Sequence, residues 1–236
     1  MSQPVALITG AGRGIGRAAA EELARRGYRL ALVSRTAEQL HETRQALATD
    51  AIELPADIRD PQQAESVVQR TAGAFGRLDA LIHCAGLAPA VSVEQMTPDQ
   101  WRDVLDTNLS SAFYLAHAAW PIFSRQNAGV IVNISSMASR DPFPRFAAYG
   151  AAKAGLNILS LALAREGAHI GVRVHTIAPG AVETAMFRRL CTEEQWPADK
   201  TLSPQEVAVV IAQCAVGELR YTSGEVIFLS KTLAGA

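Results

Sequence analysis

Val5-Ala6-Leu7-Ile8-Thr9-Gly10-Ala11-Gly12-Arg13-Gly14-Ile15-Gly16 opens the chain and runs on through an Ala-, Glu- and Leu-rich stretch to Arg26 and Gly27. The apolar run has strand character, the small residues suit a tight turn, and the Ala-, Glu- and Leu-rich stretch has helix composition ended by glycine. A strand feeding a helix through a glycine loop leaves the helix N-terminus open, where unpaired N–H groups and the helix dipole favour an anion such as a pyrophosphate. The spacing of Gly10, Gly14 and Gly16 is G-x-x-x-G-x-G, not the commoner G-x-G-x-x-G, so the context carries the reading. Taken alone, Gly10 and Gly12 also fit ordinary turn residues.

Outward from this loop, short β-branched runs alternate with longer helical patterns. Strands are expected near 5–9, 28–33, 51–55, 79–83, 129–134, 172–177 and 225–229, and helices near 14–26, 36–48, 61–75, 97–125, 148–167 and 203–215. Gly27 and Gly76 suit helix ends, while Asp60-Pro61 and Ser203-Pro204 read as an N-cap followed by proline in the first turn. The alternation implies one doubly wound α/β domain over residues 1–236, a parallel seven-stranded sheet with helices on both faces. Ligands of such sheets bind beyond the carboxyl ends of the strands. Thr9, Ser34, Asp57, Ala85, Ser136 and Pro179 all fall there, which implies a single site.

Tyr149-Gly150-Ala151-Ala152-Lys153 carries the chemistry, with Tyr149 and Lys153 thirteen and seventeen residues after Ser136. Residues four apart on a helix share a face, so the Lys153 ammonium is expected to sit near the Tyr149 phenol and favour the phenolate. A phenol with an ordinary pKa of about 10 is a poor proton donor or acceptor near neutrality, and a neighbouring cation brings it toward a useful range. Ser136 would orient a carbonyl oxygen. The set implies hydride chemistry on a carbonyl or secondary alcohol, with Tyr149 as general acid/base and a nicotinamide dinucleotide on the glycine loop. A lone Tyr-x-x-x-Lys also occurs as a surface pair, and Ser135-Ser136 also reads as a strand end, but neither reading explains the group.

From about residue 5 to residue 184 the chain resembles the short-chain dehydrogenases/reductases, in particular their 3-oxoacyl-[acyl-carrier-protein] reductase-like branch. The resemblance implies a Rossmann-type fold. It implies cofactor contacts from Gly10, Arg13, Gly14, Ile15 and Gly16 in the loop, from Ser34 and Arg35 after the second strand, and from Asp57 and Ile58 on the adenine side. Ala85-Gly86 matches the end of an Asn-Asn-Ala-Gly motif, and Pro179, Gly180, Val182 and Thr184 match the stretch that packs on the nicotinamide. Ser136, Tyr149 and Lys153 match the catalytic residues, Tyr149 and Lys153 also touching the cofactor, and Asn108 matches the asparagine that supports a water relay to the lysine. The family spacing selects Ser136 over Ser135.

Departures from the pattern matter too. His83-Cys84 replaces two asparagines, so side-chain bonds bracing the central strand are expected to be missing. His175 stands where the family often has asparagine, and Ser230-Lys231-Thr232 replaces Asp-Gly-Gly, which leaves the packing of the tail open.

The residues after the second strand bear on cofactor choice. An acid about 20 residues beyond the glycine loop would bind the ribose 2′-hydroxyl of NAD(H). Here the run is Val33-Ser34-Arg35-Thr36, with no acid until Glu38. Arg35 and Arg13 suit a 2′-phosphate, which favours NADP(H) over NAD(H), although both also fit solvated loop arginines.

Leu87, Met137, Phe143, Phe146, Met186 and Phe187 form an apolar set suited to a small aliphatic or aromatic carbonyl substrate, and each fits a core position as well. The stretch 183–202 reads as a mobile lid. Carrier-protein reductases of the family tend to have basic docking residues where this chain has Asn127 and Ile170, with Arg125 and Arg173 nearby, so an acyl-carrier substrate is an alternative that is not favoured. A non-catalytic dinucleotide-binding regulator is a second alternative, but it would not need Ser136, Tyr149 and Lys153. An extended epimerase would need a longer C-terminal region than the roughly fifty residues after Thr184.

At 236 residues, with 49% apolar and 19% charged residues and a net charge of −1, the chain can bury a large core and offers no basic face for nucleic acid or a membrane surface. No stretch is expected to reach the apolar length of a membrane span, no leader pattern is read at the start, and a cytoplasmic location is expected. Cys84, Cys191 and Cys214 show no C-x-x-C spacing and the five histidines no ligand pattern, so neither a disulfide framework nor a metal is assigned. In the family the helices near 97–125 and 148–167 pair with their copies. Their small residues Ala112, Ala116, Ala119, Ala148, Ala152 and Ala154 suggest at least a homodimer, with a homotetramer left open.

Overall fold

Seven short apolar runs hydrogen-bond into one all-parallel sheet, because each of the first six is followed by a helix that carries the chain back to the sheet's starting edge. A computed structural model describes residues 3–231, so Thr232 of the C-terminal departure lies outside the described residues. The strands are β1 (Val5–Thr9), β2 (Arg29–Ser34), β3 (Ala51–Pro55), β4 (Ala80–His83), β5 (Gly129–Ile134), β6 (Val172–Pro179) and β7 (Val226–Leu229). The helices are α1 (Gly14–Arg25), α2 (Ala37–Gln45), α3 (Pro61–Phe75), α4 (Pro98–Leu105), α5 (Ser111–Gln126), α6 (Ala147–Gly167), α7 (Ala185–Arg188) and α8 (Pro204–Val216). The sheet order is β3-β2-β1-β4-β5-β6-β7. Chain direction across the sheet therefore reverses between β1 and β4, and the loops leaving those two strands part to form a crevice.

Strand alternation sends successive side chains to opposite faces, and both faces are covered. Ala6, Ile8, Leu30, Leu32, Val132 and Ile177 pack against Leu23 of α1 and Ile211 of α8. Leu7, Val33, Leu81, Ile131 and Val174 pack against Val67 of α3, Leu115 and Phe123 of α5, and Leu163 of α6. The expected caps are present: Asp60 accepts from Gln62 N–H, and Ser203 forms a capping box with Glu206. The single helix expected over 97–125 is instead α4, a wider π-turn over Asp106–Ser110, and α5. The extra residue in that turn buries Asn108 completely.

A polar row crosses the last layer of the sheet before the crevice. Thr9 pairs with His83, His83 with Asn133, and Asn133 with Thr176, and all four are buried. His83 lies between Thr9 Oγ1 at 3.0 Å and Ser111 Oγ of α5 at 3.3 Å. Asn133 donates to Ser160 Oγ of α6 at 2.9 Å. The brace expected to be lost with the two asparagines is therefore present, because an imidazole has a hydrogen-bonding atom at each side and spans from β1 to α5.

Two further expectations change. Ala112, Ala116, Ala119, Ala148 and Ala152 are buried inside the chain, Ala116 and Ala119 against the sheet and Ala148 and Ala152 against Val104 of α4, so small size there serves close packing within the chain. The outward faces of α5 and α6 carry Phe113, 48% exposed, and Ile158, 69% exposed. One helical stretch, Ala147–Ile170, is long and apolar enough to cross a membrane by length and composition, contrary to the sequence reading. That stretch is α6 with a short extension, and it packs on the sheet through Leu159, Leu163 and Ala164.

Burial makes two histidines sensitive to acid. It pushes His83 from 6.5 down to about 3, aided by the Lys153 charge, and His175 down to about 4, aided by Arg173. Both are neutral when folded and ordinary when unfolded, so their stabilisation is complete above pH 6.5 and is lost as pH falls toward 4. Between pH 6.5 and 5, above the ordinary carboxylate range, the urea-unfolding free energy is expected to fall by about 1 kcal/mol per pH unit for each histidine. His175→Gln should remove roughly half of that slope, and an unchanged slope would show that His175 is not held neutral.

Candidate active site

The glycine loop is shaped by close approaches that exclude side chains. Gly10 has a left-handed φ of 66°, and a methyl group there would lie 3.0 Å from Ala85 N. A methyl group at Gly16 would lie 2.2 Å from the Gly10 carbonyl oxygen, so the loop closes on itself. Gly12 leaves room for Gln39 and Ser34, which brings Arg13 and Arg35 to the same edge of the crevice, both exposed. Helix α1 starts at Gly14 with no side-chain cap and no acid in its first turn, so its N–H groups suit an anion. Ile15 is half-buried against the core beneath. These features fit a dinucleotide phosphate.

Around this loop stand the other expected cofactor residues. Ser34 Oγ donates to Thr36 O at 3.1 Å and fixes the turn that carries Arg35. Ile58 is buried. The Asp57 carboxylate is already gripped by the Arg59 guanidinium, with bonds of 3.0 and 2.6 Å, and this pair holds its pKa below the usual carboxylate range. Arg59 also binds Asp103 at 2.8 Å, tying the loop to α4. On the far side, Gly180 N–H donates to Leu229 O at 2.8 Å beside the buried Pro179, and Val182 is buried and bridges to Leu202. Thr184 reaches back until its methyl lies 3.4 Å from where a Gly14 side chain would begin.

Lys153, Asn108 and Gly86 meet at the centre. Lys153 is almost fully buried on α6, and its Nζ donates to Ile134 O at 2.7 Å. Gly86 is the gap between the two side chains: a methyl group there would sit 3.1 Å from Asn108 Oδ1 and 3.8 Å from Lys153 Nζ. Asn108 clamps the following residue, accepting from Leu87 N–H at 3.2 Å and donating to Leu87 O at 2.8 Å. Ser136 stands beside Tyr149 and acts on its hydroxyl, and Lys153 Nζ lies 5.7 Å from the centre of the Tyr149 ring. Ser135 is spent elsewhere, donating to Lys153 O at 3.2 Å.

The electrostatics differ from the sequence expectation. Burial pushes the Tyr149 phenol up, opposed by the Ser136 hydrogen bond, so the net direction is away from phenolate. Burial also pushes Lys153 down to about 8 and Cys84 up to about 12. The cause is shared. Both members of the helix pair are taken out of water, and desolvation disfavours the charged form of each.

An aromatic edge runs from this centre to the surface. The Tyr149 and Phe146 rings meet edge to face at 6.0 Å, and Phe146 meets Phe143 at 6.4 Å, the last being 63% exposed. Leu87, Met137, Met186 and Phe187 are none of them fully buried, which suits a rim more than a core. Arg145 adopts a left-handed φ of 73° and its carbonyl accepts from Val91 N–H at 3.0 Å, joining the two loops of the mouth. The stretch expected as a lid contains α7 and is bonded within itself: Arg188 binds Glu183 and donates to Trp196 O at 2.9 Å, while Thr201 donates to Glu183 at 3.2 Å. Among the described residues, no three His, Cys, Asp or Glu side chains gather as metal ligands would.

Sequence reasoning did not find Ser111, Ser160, Arg59 or the Glu183–Arg188 pair. For the two serines the available signal was a hydroxyl on the sheet-facing stripe of an apolar helix.

The family model for short chain dehydrogenases matches residues 4–195. The chain is 35% identical to the 3-oxoacyl-[acyl-carrier-protein] reductase FabG of Salmonella typhimurium over 232 residues, covering 96% of this chain and 95% of that one. The FabG of Escherichia coli is 35% identical over the same coverage. Among solved structures, a putative short-chain alcohol dehydrogenase from Sinorhizobium meliloti superimposes with a TM-score of 0.90 at 34% identity, over 97% of this chain and 95% of that one. Levodione reductase does so with a TM-score of 0.91 at 27% identity, over 98% and 97%. This extent of match, over a doubly wound sheet with its crevice at the β1–β4 reversal, makes the chain a member of the short-chain dehydrogenase family.

Proposed function

We propose that the chain is an NADP(H)-dependent oxidoreductase that interconverts a carbonyl and a secondary alcohol on a small substrate with an apolar body. The observation that carries this reading is the meeting of Ser136, Tyr149, Lys153, Asn108 and Gly86 at one point of the crevice, beside a loop built for phosphate. When bound, the nicotinamide supplies the hydride. In reduction, the Tyr149 hydroxyl gives its proton to the oxygen of the forming alcohol, and its raised pKa keeps that proton in place at neutral pH. The Ser136 hydroxyl orients the same oxygen. Lys153, held by Ile134 O, supplies positive charge beside the ring and suits contact with ribose hydroxyls. Asn108 fixes Leu87 at the mouth and borders Lys153 across Gly86, a place suited to a water that returns protons to the lysine.

The Phe143–Phe146–Tyr149 edge supports an apolar substrate body. Similarity to 3-oxoacyl-[acyl-carrier-protein] reductases supports a second reading, a 3-oxoacyl thioester on a carrier protein. Against it, Asn127 is a helix-ending residue with φ 49°, and the Arg173 guanidinium lies against Gly217 at the end of α8. NADPH oxidation with a panel of ketones and diketones beside acetoacetyl thioesters separates the two, because selective turnover of carrier-bound thioester would replace the small-ketone reading.

Tyr149→Phe should lower carbonyl reduction by at least a factor of about 100 while changing the Kd for NADPH only slightly, since it removes only the proton donor. Lys153→Ala should weaken both binding and turnover. Near-native kcat in Tyr149→Phe would overturn the proton-donor assignment.

Arg35→Asp should move preference from NADPH toward NADH. Losing a charge-assisted contact worth about 2–3 kcal/mol changes the Kd ratio by roughly thirty- to a hundred-fold or more. Equal Kd values for the two cofactors in the native protein would rule out the 2′-phosphate reading.

The exposed Phe113 and Ile158 fit a two-fold contact through α5 and α6. Light scattering at micromolar concentration should then give at least twice the 25.2 kDa of one chain. A mass of one chain would exclude the contact.

A further inference from the structure

His83 is surrounded by groups whose protons are already committed. Ser111 O–H donates to Thr107 O at 2.8 Å, which leaves its oxygen to accept from His83 Nε2 at 3.3 Å. Ala85 N–H donates to Thr9 Oγ1 at 3.2 Å, which leaves the Thr9 hydrogen for His83 Nδ1 at 3.0 Å. One proton arrangement satisfies every member. In the opposite tautomer the Thr9 hydrogen loses His83 Nδ1 as its acceptor, and Ser111 must abandon the Thr107 carbonyl to serve Nε2.

The two ends of this chain of bonds lie on different parts of the crevice. At one end Ala85 abuts Gly10, so the position of the Ala85 amide sets the floor of the glycine loop. At the other end Thr107 precedes Asn108 within the π-turn, and Asn108 clamps Leu87 and borders Gly86. We propose that His83 is a positioning residue, a neutral imidazole with its proton on Nε2, which fixes the glycine and Ala85-Gly86 loops relative to the turn that carries Asn108. This rests on reading the crevice as a dinucleotide site. The charged groups around it favour the neutral ring: Lys153 is the cation that acts on it, no carboxylate does, and burial pushes its pKa to about 3. His83 thus takes no part in proton transfer at working pH and acts through Ala85 and Asn108.

Two measurements on the full chain test this. In long-range 1H–15N spectra of protein with 15N-labelled histidine, the His83 signals are identified by their loss in His83→Asn. They should show the Nε2-protonated pattern, unchanged from pH 8 to pH 5; an Nδ1-protonated or titrating ring overturns the proposal. A double-mutant cycle then reads coupling through NADPH fluorescence. Ser111→Ala should weaken NADPH binding about fivefold in the native background, the worth of one neutral hydrogen bond, and hardly at all beside His83→Phe. Equal effects of Ser111→Ala in both backgrounds overturn the coupling. Should His83→Phe fail to fold, the tautomer spectrum of the native protein still decides. A native chain that binds neither NADPH nor NADH overturns the functional reading itself, a result unlike the additive cycle, in which binding is intact.

Discussion

A lysine cannot be buried without a partner for its ammonium, and the arrangement of the site follows from how this chain buries Lys153. Its Nζ is held by the carbonyl of Ile134, the last residue of β5, and its own carbonyl accepts from Ser135, the next residue along. These two bonds fix α6 to the end of β5 in both rotation and height. Tyr149, one turn earlier, then has only one place to go, beside Ser136. Gly86 and Asn108 complete the enclosure, since a side chain at 86 would press on the Asn108 carboxamide and fill the space before Lys153.

The cost of that burial appears as shifted protonation equilibria, and the shifts are compatible with the proposed chemistry. A phenol held protonated is a proton donor ready for reduction, and an ammonium brought down to about 8 can return a proton to it near neutral pH. The same desolvation keeps Cys84 a thiol and His83 a neutral ring, so the groups nearest the centre do not compete for the proton.

The fold was legible because it rests on patterns confined to short stretches. The strand–glycine–helix run at 5–27, the proline-marked helix starts at Pro61 and Pro204, and the alternation of apolar runs are each local, and the seven strands lie within a few residues of where those patterns put them. What stayed hidden depends on contacts between segments far apart in the chain. His83 looked like a loss because its partners, Thr9 and Ser111, come from another strand and another helix. The alanines of α5 and α6 looked like an interface because composition does not say which way a helix is turned. The bonds inside the 183–202 stretch were hidden because Glu183, Arg188 and Thr201 become a cluster only after the chain folds back on itself. The site lies between these cases: the order of Ser136, Tyr149 and Lys153 marked it, but the burial that sets their protonation was not written in the spacing.

The apolar length of α6 has a consequence for how this chain reaches its fold. A helix enclosed along much of its length must be hydrophobic on more than one side, so before folding it is a long greasy segment with few charges to keep it in water. Its shelter lies close by in sequence, since β5 immediately precedes it, β6 comes directly after it, and the two strands are neighbours in the sheet. As the ribosome releases the chain, residues 129–179 can close as one right-handed crossover without waiting for distant partners. The segment most exposed to capture by lipid or by another unfolded chain thus has two of its native neighbours in the strands that flank it in sequence.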